Sequence, residues 1–205
     1  KPFYNIEIYI HEQNSIIGRS NNFYLKYANK LFLNFDLGTN NKKIYLSNSY
    51  IVGSPEKNNV SKYKKKYNYD KSFTIFIFGG SQGSVYISSF ALNLIKLLDD
   101  KKLNIKFIIQ CPKKNISKIS MDLKHLKKKI IIKEYFHNID EILQNTTIAI
   151  SRAGAGSIND LIRYKIPSIL IPLPSAKDNH QFYNASVMTN HEVAIILDQR
   201  KDEYN

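Results

Sequence analysis

The sequence is poor in cysteine, in acidic residues and in long apolar runs. A single cysteine among 205 residues excludes a disulfide framework and suits a reducing compartment. No uncharged apolar run approaches the roughly 18 residues that a membrane-spanning helix needs, and no signal-peptide pattern opens the chain. Only 17 acidic residues stand against 30 basic ones. We therefore expect a soluble, strongly basic chain held together by a hydrophobic core.

The formal net charge of +13 suggests an anionic partner. Lysine and asparagine are abundant throughout and often adjacent, which is typical of compositional bias rather than of one designed patch. Nucleic acid, acidic lipid head groups and phosphorylated substrates are the candidate anions. No RNA- or DNA-binding motif accompanies the charge. The sequence therefore favours a membrane surface or a phosphate-bearing ligand, and no nucleic acid.

Apolar runs alternate with helical periodicity from residue 73 onwards. Phe73–Phe78 is a continuous apolar run typical of a buried parallel strand. A glycine-rich turn and an amphipathic helix follow it. This alternation predicts an α/β fold, with a parallel sheet covered by helices on both faces. Further strands are predicted at Lys106–Gln110, Lys129–Lys133, Thr147–Ser151, Ser168–Ile171 and Val193–Leu197, and further helices at Ser117–Lys128, from a capping box at Asn138 and Glu141, at Ser157–Tyr164 and from a cap at Asp178 to about Thr189.

The first 55 residues differ in pattern from the rest and predict a separate unit. Residues 56–72 are polar and lysine-rich, which is typical of a linker. The predicted organisation is a first domain at 1–55, a linker at 56–72 and a second domain at 73–205. Within the first domain, short strands are predicted at Ile6–Ile10, Leu31–Asn34, Lys43–Leu46 and Tyr50–Val52, with a helix near Asn22–Lys30.

Three loops follow predicted strands and carry the residues suited to ligand binding. In Gly79–Gly83, the backbone N–H groups can approach a phosphate, and Ser81 and Gln82 can add donors. Arg152–Ser157 is placed similarly, and Asp160 lies one turn further on, where a carboxylate can reach a ribose. The third loop runs from Pro172 into Ala185 and is rich in polar side chains. All three would meet at the carboxyl edge of one sheet, where open α/β sheets bind ligands.

Structural explanations for these residues remain open at this point. The glycines can serve the turn alone, and Asp160 can compensate a helix dipole. Asp178 can be an N-cap and Asn184 a helix-surface residue. Cys111 is expected to be a small buried apolar residue.

Four motifs stand in register along the chain, namely His11–Asn14, Gly79–Gly83, Ser151–Ala155, and Lys177–Gln181 with Asn184–Ala185. Together they resemble the MurG family of bacterial UDP-N-acetylglucosamine transferases, over about residues 5–197. The resemblance implies a two-domain fold of the GT-B type, of which this chain holds a Rossmann-like C-terminal domain and the end of a Rossmann-like N-terminal domain.

The resemblance implies a donor-binding role for a defined set of residues. Ser81 matches a serine that contacts the donor diphosphate, and Phe136 matches an apolar residue whose backbone reads uracil. Asp160 stands where the family has a glutamate that binds both ribose hydroxyls, and Lys57 stands where it usually has an arginine. Gln181 matches one of a pair that reads the hydroxyls of N-acetylglucosamine (GlcNAc). The full donor-binding set is Asn14, Lys57, Ser81, Gln82, Phe136, Ala155, Gly156, Ser157, Asp160, His180 and Gln181.

The activity implied is transfer of GlcNAc from UDP-GlcNAc to the C4 hydroxyl of the N-acetylmuramic acid (MurNAc) unit of lipid I, which yields lipid II in peptidoglycan synthesis. The family inverts the anomeric centre and needs neither a metal nor a cofactor. Its partners are UDP-GlcNAc, lipid I and the anionic cytoplasmic face of the bacterial inner membrane, which it contacts peripherally. Two alternatives remain: a non-catalytic UDP-GlcNAc-binding module that needs a separate acceptor domain, and another UDP-sugar enzyme such as an epimerase.

Two parts of the family pattern have no counterpart here. One is an N-terminal glycine-rich loop ending in histidine, which in the family holds the acceptor and supplies the base; the other is the set of C-terminal helices. We therefore expect a chain that begins inside a domain, with the family base upstream of residue 1. Within the chain, Glu12 is the catalytic candidate, and His11 is a weaker one that ends a strand.

Overall fold

Two parallel β-sheets with flanking helices make up the fold. The chain is represented by a computed structural model, which describes residues 6–37, 48–55, 73–80 and 83–201. The strands are β1 (Tyr9–Glu12), β2 (Lys30–Leu33), β3 (Ser49–Ile51), β4 (Phe73–Phe78), β5 (Ile105–Gln110), β6 (Lys129–Lys133), β7 (Ile148–Ser151), β8 (Ser168–Leu170) and β9 (Ala194–Ile196). The α-helices are α1 (Arg19–Tyr24), α2 (Val85–Asp99), α3 (Lys113–Leu123), α4 (Ile139–Asn145), α5 (Ala155–Arg163) and α6 (His180–Thr189), with 3₁₀ turns at Leu25–Tyr27 and Lys177–Asn179.

The larger sheet has its strands in the order β6–β5–β4–β7–β8–β9. The chain builds outward from β4 to β6 and then returns to β7 on the other side of β4. The connections that leave β4 and β7 therefore diverge, which opens a crevice between them at the carboxyl edge. The register pairs Phe78 with Ser151, so the loops that follow these two strands start at the same level.

Apolar side chains cover both faces of this sheet because successive residues of a strand point to opposite sides. Ile75 and Ile77 join the core beneath α2 and α3, whereas Phe76 and Phe78 join the core beneath α4, α5 and α6. Helix α2 buries Ile87, Ala91 and Ile95 completely, at the four-residue spacing of one helix face. Cys111 is fully buried in the same core, as predicted.

The smaller sheet has the order β1–β2–β3 and a core of its own. That core contains Ile10, Leu31 and Leu33, together with Leu25 and Leu37. The helix α1 and the following 3₁₀ turn connect β1 to β2, and Leu25 of that turn is part of this core. Among the described residues, no helix combines the length and the apolar character that crossing a membrane requires.

Several predicted element boundaries are wrong, each for a local reason. The first strand lies at Tyr9–Glu12 rather than at Ile6–Ile10. Helix α3 starts directly after Pro112, four residues earlier than predicted, because a proline suits the start of a helix. Asn138 precedes α4, but its side chain makes no capping hydrogen bond, so the predicted capping box does not form. The predicted strand at 43–46 and the predicted linker lie outside the described residues.

Helix α6 does not begin at Asp178. Asp178 and Asn179 both have left-handed backbone angles, with φ of 53° and 54°, so helical geometry starts only at His180. The Asp178 carboxylate instead accepts hydrogen bonds from Arg19, at 2.9 Å from Nε and 2.6 Å from Nη2. This ion pair joins α1 to the start of α6 and lowers the pKa of Asp178.

Candidate functional site

A cavity of about 560 Å³ opens at the crevice between β4 and β7. The three loops that the sequence singles out all contribute to its wall, which confirms the prediction that they meet at one edge of the sheet. The lining residues are Phe78, Gly79, Gly80, Gly83, Ser84, Gln110, Tyr135, Phe136, Ile139, Arg152, Gly154, Gly156, Ser157, Asp160, Leu173 and Gln181.

The β4–α2 loop needs glycine for steric reasons. A Cβ atom on Gly79 would lie 2.5 Å from the backbone nitrogen of Ser84, which no side chain tolerates. Gly83 has a φ of +69°, and a Cβ there would lie 2.8 Å from Pro112. The loop therefore packs tightly and leads into the N-terminus of α2 at the cavity wall. Ser81 and Gln82 of this loop lie outside the described residues.

Arg152 is a cavity residue to which the sequence analysis assigned no role. Its side chain is only 5% exposed, and Nη1 donates to the carbonyl oxygens of Ile171 and Pro172, at 3.0 and 3.2 Å. Nη2 donates to Ser84 Oγ at 3.1 Å. Its position directly after a buried strand is the signal in the sequence that could have identified it.

The charge of Arg152 has no carboxylate beside it in the described part of the chain. None of the ion pairs recorded there involves Arg152, and its buried Nε has no hydrogen-bond partner there. The guanidinium carbon lies 5.4 Å from the ring centre of Tyr86. Burial lowers the pKa of Arg152, but a guanidinium remains charged at neutral pH. The cavity wall therefore carries a fixed positive charge.

The N-terminus of α5 forms the second side of the cavity. Gly154 precedes the helix with an extended backbone, and Gly156 and Ser157 of the first turn line the cavity. The first-turn N–H groups of a helix lack intrahelical partners, so they can bind an anion. Ala155 begins the helix but is not among the lining residues.

Asp160 also lines this side, one turn into α5. The first turn of α5 contains no acidic residue, so Asp160 lies too far along to be a first-turn compensating charge. Its Oδ1 lies 3.8 Å from Nη1 of Arg163, and its side chain is 41% exposed. The carboxylate therefore remains accessible from the cavity.

The third loop brings Gln181 but not His180 to the cavity. Gln181 Oε1 accepts a hydrogen bond from the Leu173 N–H at 3.0 Å, which fixes the orientation of its amide. His180 Nδ1 lies 2.8 Å from the Lys177 carbonyl oxygen, and His180 is not a lining residue. Of His180 and Gln181, the pair predicted to contact the GlcNAc hydroxyls, only Gln181 therefore lines the cavity.

The opposite end of the cavity is more apolar. Phe136 is 9% exposed and packs edge-on against Phe76, with ring centres 5.9 Å apart. Tyr135 beside it is exposed, and Gln110 lines the same end. The resemblance predicts Phe136 as a contact to uracil. Nothing in the sequence predicts a role for Tyr135 or Gln110, since residues that face a flat ligand share no sequence pattern.

Glu12 occupies a structural position outside this cavity. It is 2% exposed, and Oε1 accepts from the backbone and side-chain nitrogens of Asn14, at 2.9 and 3.1 Å. Oε2 accepts from the Gly18 N–H and from Asn21 Nδ2, both at 2.8 Å. Four donors use the accessible lone pairs of the carboxylate. These surroundings argue against the predicted role of general base.

Asn14 and His11 also lie away from the cavity wall. Asn14 Oδ1 accepts from Asn184 Nδ2 at 3.1 Å, so it contacts α6 rather than the cavity. His11 Nε2 lies 2.9 Å from the Gly53 carbonyl oxygen at the end of its strand. Lys57, the remaining residue of the predicted set, lies outside the described residues.

The match with a family model decides what kind of protein carries this site. The model described as the glycosyltransferase family 28 C-terminal domain matches residues 74–203, which include the larger sheet and all three loops. The chain belongs to glycosyltransferase family 28. This assignment agrees with the resemblance that the four motifs predict.

Two curated relatives of this family 28 chain carry the name UDP-N-acetylglucosamine--N-acetylmuramyl-(pentapeptide) pyrophosphoryl-undecaprenol N-acetylglucosamine transferase. The relative from Rickettsia bellii (strain RML369-C) is 34% identical over 203 residues. The relative from Rickettsia canadensis (strain McKiel) is 36% identical over 209 residues. Each comparison covers 96% of this chain and 57% of the relative, so the chain spans little more than half the length of these relatives.

Solved structures support the predicted fold class. The crystal structure of Acinetobacter baumannii MurG matches with a TM-score of 0.81 and 21% sequence identity, over 96% of this chain and 55% of that one. The structure of the glycotransferase of kitacinnamycin matches with a TM-score of 0.60 and 12% identity, over 84% and 42%. The family 28 chain thus has the Rossmann-like parallel sheet of a GT-B glycosyltransferase, as predicted.

Proposed function

We propose that the cavity binds UDP-GlcNAc and that the chain is the donor-binding part of a GlcNAc transferase. The observation that carries this proposal is the shared cavity, where the glycine loop, the N-terminus of α5 and Gln181 meet. The names of the curated relatives support GlcNAc as the transferred sugar and a lipid-linked N-acetylmuramyl acceptor. The product is lipid II, formed by attachment to the C4 hydroxyl of the MurNAc unit of lipid I.

The proposed pose assigns each part of the donor to one wall. The diphosphate lies between Gly83 and the N-terminus of α5, where the first-turn amides of α5 and the charge of Arg152 face it. The ribose hydroxyls bind the Asp160 carboxylate. The uracil reaches the backbone of Phe136, and the sugar hydroxyls reach Gln181. Among the remaining predicted residues, Ala155, Gly156 and Ser157 contribute backbone contacts to the phosphates.

The same arrangement serves the reaction. When UDP leaves, negative charge develops on the β-phosphate, and preorganised donors lower the energy of that state. The N-termini of α2 and α5 supply these donors, and the charge of the Arg152 guanidinium behind them adds to the positive potential. Diphosphate binding therefore needs no metal ion in this proposal.

The acceptor hydroxyl needs a base within about 3 Å. Glu12 is unsuited because both of its oxygens are already hydrogen-bonded. We assign the base to the part of the relatives that this chain does not span. A UDP-GlcNAc-binding module that needs a separate acceptor domain is the second candidate function, and the engagement of Glu12 is compatible with it as well.

A lipid-linked acceptor places the enzyme at a membrane surface in this proposal. The net charge of +13 supports peripheral contact with the anionic cytoplasmic face of the bacterial inner membrane. Nothing in the proposal requires nucleic acid or a cofactor.

Calorimetric titration of the full chain tests the proposal. UDP and UDP-GlcNAc are expected to bind at one site, and to do so with a chelator present. Both are expected to bind more tightly than uridine, because uridine has no phosphates to contact the helix N-termini and Arg152. Met121→Ala is the matched control, since Met121 is 74% exposed on α3 and lies outside the cavity. Failure of the chain to bind UDP, or equal binding of ADP, contradicts the proposal. Tight binding without transfer to a lipid I analogue agrees with both the main proposal, in which the base lies outside this chain, and the non-catalytic module.

A further inference from the structure

Ser84 holds an unusual position where the glycine loop meets α2. It is the N-cap of this 15-residue helix, and its Oγ accepts a hydrogen bond from the Ile87 N–H at 3.3 Å. The same oxygen accepts a second hydrogen bond from Arg152 Nη2 at 3.1 Å. Ser84 also lines the cavity. The Ser84 hydroxyl thus caps the helix and accepts a hydrogen bond from the buried Arg152 guanidinium, and Ser84 forms part of the cavity wall.

The direction of the hydroxyl proton follows from counting donors and acceptors. A serine hydroxyl has two lone pairs and one proton. The Ile87 N–H and Arg152 occupy both lone pairs, so the oxygen can take part in a further hydrogen bond only as a donor. Within the described residues, no acceptor is recorded for this proton. The O–H group is therefore available to an acceptor in the cavity.

Arg152 makes this hydroxyl a better donor than an ordinary serine. A cation that donates to an oxygen polarises its O–H bond and strengthens the hydrogen bond which that group donates in turn. The guanidinium cannot turn away, because Nη1 is held by the carbonyl oxygens of Ile171 and Pro172. No carboxylate neutralises it among the described residues. The wall therefore favours an anionic acceptor over a neutral one.

We propose that Ser84 is a phosphate-binding residue whose hydroxyl donates to an oxygen of a nucleoside diphosphate, and that Arg152 is the positioning residue behind it. This inference rests on the proposed function, because it requires a diphosphate in this cavity. It adds a side-chain donor to the backbone amides of the helix N-termini. The contact belongs to the phosphates alone, so uridine gains nothing from it.

Substitutions at Ser84 separate binding from helix capping. Ser84→Gly removes the hydroxyl, and glycine is an acceptable N-cap. Ser84→Asp keeps an acceptor for both Ile87 and Arg152 but has no proton to donate. Ser84→Thr keeps the hydroxyl. Ser88→Ala is the matched control, since Ser88 is fully buried in the same helix and donates to the Ser84 carbonyl oxygen at 2.9 Å.

The measurements are the affinities of the full chain for UDP and for uridine, and thermal unfolding. We expect Ser84→Gly to weaken UDP binding about 10-fold or more, the usual loss for a hydrogen bond to a charged group, with uridine affinity unchanged. Ser84→Asp is expected to fold with near-normal stability and to lose more UDP affinity, whereas Ser84→Thr retains it. Ser88→Ala is expected to change stability without changing the ratio of the two affinities.

Three results overturn the inference, and only the third also overturns the proposed function. If wild type binds UDP and Ser84→Gly or Ser84→Asp binds it equally well, Ser84 is only a helix cap and the proposed function survives. If Ser84→Gly weakens UDP and uridine to the same degree, the hydroxyl does not act on phosphate. Absence of UDP binding by the wild-type chain overturns the proposed function and this inference together.

Discussion

Asp160 is the side chain that the proposed pose uses to recognise the ribose. It lines the cavity, and its Oδ1 lies 3.8 Å from Nη1 of Arg163; a carboxylate can accept hydrogen bonds on both oxygens. In the proposed pose it accepts from both ribose hydroxyls. Removal of the carboxylate or of a ribose hydroxyl is therefore expected to lower the affinity for the nucleotide and to leave folding intact.

We expect Asp160→Ala to weaken UDP binding about 10-fold or more, because hydrogen bonds to a charged group contribute about 1.5–3 kcal/mol. Wild type is expected to prefer UDP to 2′-deoxy-UDP, and the variant to lose most of that preference. Calorimetric titration with both nucleotides measures the two effects. Asp122→Ala on α3 makes the same change in net charge away from the cavity and is the control. A preference for UDP that survives in Asp160→Ala would rule out the ribose contact.

The residues around the site differ in how visible their roles are in the sequence. The glycine loops could be predicted because they directly follow buried strands, and Asp160 because it lies one turn into the helix after the second loop. The hydrogen bonding of Glu12 could not be predicted, since its Oε2 accepts from Gly18 and Asn21, six and nine residues further along the chain. Arg152 is visible as an arginine after a strand, but the lack of a carboxylate beside it appears only in three dimensions.

At the scale of elements, one asparagine of α6 joins three parts of the chain. Asn184 is fully buried, and its Oδ1 accepts from the N–H and hydroxyl of Ser15, at 2.8 and 3.1 Å. Its Nδ2 donates to Asn14 Oδ1 at 3.1 Å and to the Ala153 carbonyl oxygen at 3.2 Å. All four hydrogen-bonding positions of the amide are thus used. The segment after β1, the loop after β7 and α6 are held together at this point.

Asn184→Ala is therefore expected to lower the free energy of unfolding by about 2–3 kcal/mol, because it leaves several buried polar groups without partners. Chemical denaturation followed by circular dichroism measures the change. Asn22→Ala serves as the control, since Asn22 is exposed on α1. An unchanged unfolding midpoint for Asn184→Ala would show that this contact does not hold the elements together.

Strands could be predicted more accurately than helix starts. The predicted strands Phe73–Phe78 and Lys129–Lys133 match β4 and β6 residue for residue. In β4 the reason is that burial on both faces demands apolar side chains without interruption, whereas β6 is an edge strand whose three isoleucines stand between two lysines. The predicted start of α6 was wrong, since the Asp178 carboxylate pairs with Arg19, 159 residues away in sequence, and does not cap the helix. A partner at that distance leaves no local pattern.

At the scale of the whole molecule, the order of the strands creates the site. The sequence predicts alternating strands and helices, but it does not state that β4 lies between β5 and β7. This order determines where the crevice opens and why the loops after β4 and β7 share one cavity. A second cavity of about 650 Å³ adjoins the first beside β5 and β6; it shares Tyr135 and Phe136 with the first and is also lined by residues such as Lys106, Ile131 and Asn145. It contains none of the glycine-loop residues.

The structure of the chain crystallised with UDP-GlcNAc tests the central claim most directly. We predict electron density for the diphosphate between Gly83 and the N-terminus of α5, for the ribose beside Asp160, and for the sugar within hydrogen-bonding distance of Gln181. Density for the diphosphate in the cavity beside β5 and β6, or anywhere else outside the crevice between β4 and β7, would contradict the account.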